Sequence, residues 1–272
     1  MPLNYFAFVL CMSAFITFGF AQSIYVNTSI NETSQTYDGK SFVLNNFVNT
    51  GGQLIEVSLL YGTVKGNGLT FSAPSTTPPT GKYLKLNVSN TQVNDATITF
   101  SGFFPAQSII IAEYTNATMS SNKPVFSINN LHLTDNVTFT IVNTQGTYSS
   151  VSNAGYVIDT LTPSETPTIH NSSGFFIINA KFQQAKGILR SQGTSPVSVV
   201  NGSSVTVDYC TCKDCAESLI NLQQGAKVDT SSMLRILKDS ITGSNTHILN
   251  AISKIEVSGN SLAEFAHLTS NG

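Results

Sequence analysis

The chain has 272 residues, and thirteen Lys and Arg against fifteen Asp and Glu leave a net charge of −2. Charged residues are only 10% of the total, where an ordinary soluble protein carries about 25%, and no run of either sign occurs; a nucleic-acid binder and a polybasic membrane-surface protein are thereby excluded, since both need clustered Lys and Arg. Ser and Thr number 65 and Asn 25, Trp is absent, and 41% of residues are hydrophobic, so the chain is polar through neutral groups yet can fill a core, and wholesale disorder is not expected.

Phe6 to Phe20 form an almost unbroken apolar stretch with small residues, Gly19 and Ala21, at the −3 and −1 positions before Gln22. This pattern predicts a signal peptide over 1–21, although Met1 to Tyr5 contain no Lys or Arg. The stretch is shorter than the roughly 20 apolar residues that span a bilayer, and no second stretch approaches that length. A secreted or extracellular surface location follows as an expectation, and it gives meaning to seven Asn-x-Ser/Thr sequons, at Asn27, Asn31, Asn87, Asn116, Asn136, Asn171 and Asn201. Their number alone is what chance predicts.

A short pattern recurs after the leader: an apolar residue, a turn residue two later, then apolar residues near +5 and +7. It reads Tyr37-Asp38-Gly39-Lys40-Ser41-Phe42-Val43-Leu44, then starts again at Val64, Val93 and Val200, with looser copies at Leu133, Ile169, Val228 and Val257. Gly, Asp or Asn in third place supplies a tight or left-handed bend, and the +5 and +7 residues share one face of the next strand. Between these corners lie further apolar runs, such as Leu54–Val57, Tyr83–Leu86 and Ile109–Ile111. A unit so small cannot bury its own apolar face; stacking copies about 4.8 Å apart buries a continuous core. Residues 22–272 are therefore expected to form one all-β domain, a right-handed parallel β-helix roughly 34 Å long by the 4.8 Å repeat. An antiparallel β-sandwich is the alternative. Intervals of 40 and 36 residues after Val93 and Leu133 predict loop insertions, or one extra coil, around 115–124 and 143–154.

These repeats resemble the pectin-lyase-like β-helix superfamily. Ile255-Glu256-Val257-Ser258-Gly259-Asn260-Ser261-Leu262 is similar, more narrowly, to repeats in the dispersed-gene-family surface proteins of kinetoplastid protozoa. The resemblance implies either a surface protein or, as an alternative, a polysaccharide lyase or glycoside hydrolase with Asp residues and Arg, Lys or His on one face. Those surface proteins are far longer, with membrane segments near the C-terminus. This difference, with no visible cap after Phe265, suggests a C-terminal truncation.

Catalytic candidates are sparse. Glycoside hydrolysis needs two carboxylates at a set separation, and the eight Asp and seven Glu are scattered, with only Arg190 and Arg235 as guanidinium groups. Asp95 and Asp135, both at the corner position, are expected to stack on one edge if at all. Glu56, Lys85, Glu113, Asp159 and Arg190 each lie near the end of an apolar run and are expected to form one outward, mixed-sign stripe usable for sugar contacts. The four His show no metal spacing, and no cofactor is implied. Leaving Cys11 with the leader, three cysteines remain, Cys210, Cys212 and Cys215. In an oxidising compartment Cys210 or Cys212 is expected to pair with Cys215, leaving an odd thiol for a partner; a zinc site is the rival. Ala216–Leu222 reads as a loop or short turn. The expected function is a non-enzymatic adhesion or recognition module for a glycan or cell-surface ligand, with end-to-end or thiol-linked self-association open.

Overall fold

The computed structural model describes residues 22–26, 28–44, 54–73, 83–162, 167–243 and 246–271; the expected leader and Asn27 lie outside them. Three short strands make each coil. In one coil these are Leu54–Leu60 in sheet I, Thr63–Lys65 in sheet II and Leu69–Ser72 in sheet III. Each pairs in parallel with its equivalent in the next coil, Val57 with Leu86, Val64 with Val93 and Phe71 with Phe100. Among the described residues, sheets I and II contain nine strands each. Sheet III contains thirteen, because Thr168–Ile169, Val197–Val199, Ala226–Val228 and Ile255–Val257 form a side branch. The molecule is a nearly all-β parallel solenoid, and the antiparallel sandwich is excluded by parallel pairing throughout.

Strand alternation fills the lumen with ladders of apolar side chains. Sheet I contributes Leu86, Ile110, Phe139, Phe175 and Val205 as successive register partners. Sheet II contributes Tyr37, Val64, Val93, Ala117, Gly146, Phe182, Cys212 and Ile241. Gly146 is required there, because a Cβ would lie 2.5 Å from the Ala117 carbonyl and 2.7 Å from the Phe182 ring. In sheet III, Phe42, Phe71 and Phe100 stack at centroid distances of 5.4 and 5.3 Å, and the column continues edge-to-face through Phe139 and Phe175. Each such side chain removed from water contributes roughly 1.5–3 kcal/mol, which an isolated coil could not collect.

The corners differ from the expected pattern. The motif copies at Tyr37, Val64 and Val93 turn from sheet II into sheet III, whereas those from Leu133 onward turn from sheet III into sheet I. The 40-residue interval is therefore neither an insertion nor an extra coil: Val93 pairs with Ala117 only 24 residues later, and the motif has moved to another corner. The turn after Met119 is a modestly longer bend leading into Phe126. A lengthened corner does occur near 143–154, where Val151–Asn153 form a 3-10 turn and Gly146 pairs with Phe182, 36 residues on. Asp95 and Asp135 consequently sit at different corners, at φ of 47° and 59°. Ala216–Leu222 ends in a strand, Ile220–Leu222, inside sheet III.

Candidate functional site

The bend from sheet I into sheet II is made the same way in every coil. One residue adopts the left-handed conformation: Ser34, Tyr61, Asn90, Tyr114, Asn143, Asn179, Tyr209, Lys238 and His267, all with φ between 49° and 56°. None is glycine. Asn tolerates this conformation because its short side chain bonds locally, but a Tyr there costs roughly 1–2 kcal/mol. Tyr61, Tyr114 and Tyr209 are nevertheless held at the bend with 60, 50 and 51% of their surface exposed. Between the terminal coils the following residue is buried, and Thr91, Thr115, Thr144, Ala180, Cys210 and Asp239 form a ladder behind the bend.

Two of these rings, Tyr61 and Tyr114, border a groove of about 700 Å³ on the outer face of sheet II, lined also by the amides of Asn90, Gln92, Asn116 and Gln145 among others. Its floor is a ladder of register partners, Gln92, Asn116, Gln145, Lys181 and Thr211. Gln145 Nε2 donates to Asn116 Oδ1 at 2.6 Å and Asn179 Nδ2 to Asn143 Oδ1 at 2.7 Å, so part of the amide set is pre-oriented. A second stretch continues past Thr118, Thr147 and Gln183 to Lys213. Among the described residues no carboxylate lines either stretch. Such a surface offers flat apolar rings beside neutral donors and acceptors, the chemistry that matches a sugar's C–H face and its ring of hydroxyls.

The expected charged stripe is not one stripe. Glu56 and Lys85 are register partners on sheet I, 2.9 Å apart, and the Lys85 ammonium, then the Ser58 hydroxyl, hold the Glu56 carboxyl below its ordinary range. Glu113 lies farther along sheet I, accepting from Ser89 Oγ at 3.3 Å. Asp159 and Arg190 are register partners on sheet III, across the solenoid's other face. The runs that carry these residues belong to two sheets, so alternation along each could not align them. Arg190 grips Asp159 through Nε and Nη2, and Gln192 Nε2 donates to both carboxylate oxygens at 3.0 Å. Arg190 also lies over the Tyr156 ring at 5.2 Å, and Tyr156 donates to Glu217, which pairs with Lys186. Asp159 is only 4% exposed. These groups neutralise one another and leave no carboxylate there free for a substrate.

Cys212 and Cys215 form a disulfide with Cα atoms 5.9 Å apart, and Cys210 is a fully buried free thiol whose ionisation burial pushes up. A thiol-linked partner would require that corner to open. Among the described residues no group of three or more His, Cys, Asp or Glu is placed to hold a metal, and no helix is long and apolar enough to cross a membrane. The sequons fall unevenly. Asn31 and Asn87 are on sheet I, Asn116 is on the groove floor, and Asn136, Asn171 and Asn201 share the corner from sheet III to sheet I. There Asn171 Nδ2 donates to Asp135 Oδ1 at 2.7 Å and Asn201 Nδ2 to Asn171 Oδ1 at 3.2 Å.

Sequence reasoning missed the groove. Its signal was present in the recurrence of an outward residue followed by an inward one, as in Tyr61-Gly62, Asn90-Thr91, Tyr114-Thr115, Asn143-Thr144 and Tyr209-Cys210. No family model matches this chain, and no curated protein matches it.

Proposed function

We propose that this protein is a secreted or cell-surface β-solenoid, related to the pectin-lyase-like proteins, that acts as a non-enzymatic recognition module and binds a glycan along the groove of sheet II. The observation that carries the reading is the set of tyrosines held exposed in a backbone conformation unfavourable to them, beside a floor of amides. A turn alone would be better served by Asn or Gly. Backbone strain retained at a surface position supports a binding role. The apolar leader 6–20 supports export.

Binding would place pyranose faces on Tyr61 and Tyr114, which are two coils apart, roughly 10 Å by the 4.8 Å repeat. One coil is comparable to the rise of one sugar in an extended chain, so alternate sugars would meet a ring. A glycan array probed with the folded protein and with a Tyr61→Ala/Tyr114→Ala variant tests this. The expected result is binding to a subset of glycans that the variant loses; no binding above background, or binding that the variant retains in full, overturns the site.

A further inference from the structure

Twelve of the thirteen Lys and Arg lie among the described residues, Lys82 being the exception. Nearly all have a partner. Lys40, Lys85, Lys186, Lys227, Lys254, Arg190 and Arg235 are ion-paired, Lys123 donates to the Asp95 carbonyl, and Lys238 donates to the Tyr209 hydroxyl. Three have an ammonium group with neither an ion pair nor a hydrogen bond: Lys65, Lys181 and Lys213. All three are exposed, and all three are on sheet II.

Their placement is not scattered within that sheet. Lys181 pairs in register with Thr211 and Lys213 with Gln183, so the two lysines sit diagonally on neighbouring strands. Diagonal neighbours on one face lie about 7–8 Å apart, a distance at which two ammonium groups can hold one anionic group between them. Lys181 also borders the tyrosine-flanked stretch, two coils beyond Tyr114 and on the same floor ladder. In a chain with more acids than bases, the groove holds two unpaired cations and, among the described residues, no carboxylate. Two like charges left adjacent are unfavourable unless something neutralises them.

We propose that the ligand is an anionic glycan, a chain with carboxylate or sulfate groups whose sugar rings lie on Tyr61 and Tyr114 and one of whose charged groups is received by Lys181 and Lys213. This rests on the glycan reading above and adds the ligand's charge and its polarity along the axis. A carboxylate and a sulfate ester offer the same chemistry to a lysine pair, oxygen acceptors for charge-assisted hydrogen bonds, and separate ligands distinguish them.

The test is calorimetric titration of the folded full chain with three oligosaccharides of matched length, one neutral, one with uronic carboxylates and one with sulfate esters. The expected result is a preference for at least one anionic ligand over the neutral one by at least about tenfold. The preference should shrink as salt rises from low to physiological ionic strength. Lys181→Gln/Lys213→Gln should bring anionic and neutral ligands to the same affinity. Equal binding of neutral and anionic ligands by the wild type overturns the charge assignment but leaves the glycan groove standing. So does a preference that survives in the lysine variant. Failure of all three to bind overturns both. Equal, lysine-dependent binding of an acidic peptide would make the pair a general polyanion site and would also overturn the proposal. The salt dependence is read on the wild type and needs no variant to fold.

Discussion

Two outer faces of the same solenoid use their charges in opposite ways. On sheet III, Asp159, Arg190, Gln192, Tyr156, Glu217 and Lys186 close on one another, and the carboxylate at the centre is nearly inaccessible. On sheet II, amides and lysines stand in register with rings beside them and no carboxylate among them. The backbone is almost the same on both faces. The difference lies in whether each outward charge finds an opposite charge one coil away, and it separates a face that stabilises the rod from one left available to a ligand.

Substitutions can break that contrast, and the largest effect is expected on the closed face. Asp159→Ala would strand the Arg190 guanidinium and Gln192 in a mostly enclosed site, and removing one partner of such a pair costs about 3–5 kcal/mol. Chemical denaturation should show the midpoint falling sharply, whereas Lys181→Ala on the open face should stay within about 0.5 kcal/mol of wild type. A stable Asp159→Ala protein would mean that the closed network is decoration.

Behind the bend from sheet I into sheet II lies a buried carboxyl with half its bonds made. Asp239 accepts the Cys210 N–H at 2.6 Å, and its other oxygen has no partner. Burial lifts its carboxyl to about 7, with the Cys210 bond opposing and the Asp208 charge adding to the rise. The folded protein therefore holds a proton that the unfolded chain releases near its ordinary value. The contribution of this carboxyl to stability is fullest below about pH 4, falls as pH climbs towards 7, and stays lost above. Asp239→Asn should remove that slope and raise stability at pH 8 by about 2–4 kcal/mol. Unfolding curves at pH 5 and pH 8 with parallel behaviour in wild type and variant would refute the assignment.

Smaller effects sharpen the account of the open face. Tyr114→Asn places at the bend the residue that Asn90, Asn143 and Asn179 already supply, so stability should rise by up to about 1 kcal/mol while glycan binding weakens. Opposite signs in thermal unfolding and in titration would show that the ring is retained for a ligand and not for the fold. Least of all, Lys85→Gln should cost no more than about 0.5–1 kcal/mol, because the Glu56 pair is exposed and screened. A titration by NMR should then show the Glu56 carboxyl returning towards its ordinary value.

The solenoid itself was legible, because period-two apolar runs separated by turn residues at near-constant spacing have few other ways to bury their faces. Which corner each motif marked was not. Tyr37-Asp38-Gly39 and Leu133-Thr134-Asp135 read alike, since any tight bend accepts Asp or Gly after an apolar residue, yet they turn out of different sheets. The same ambiguity placed Glu113 with Asp159: both end apolar runs, and nothing local tells a run in sheet I from one in sheet III. The groove escaped notice for another reason. A tyrosine before a small or hydroxylated residue looks like an ordinary strand residue until its φ of 49° is known.

The column of rings from Phe42 to Phe175 has a bearing on how the molecule comes apart. A coil packs chiefly on its two neighbours, so loss of order is passed from one to the next and is not shared by the whole. Unwinding should enter from either end and meet its brake where the phenyl groups interlock, leaving the Tyr61–Tyr114 stretch among the last segments to exchange its amide protons. A binding surface mounted over that spine would keep its shape while the extremities fray.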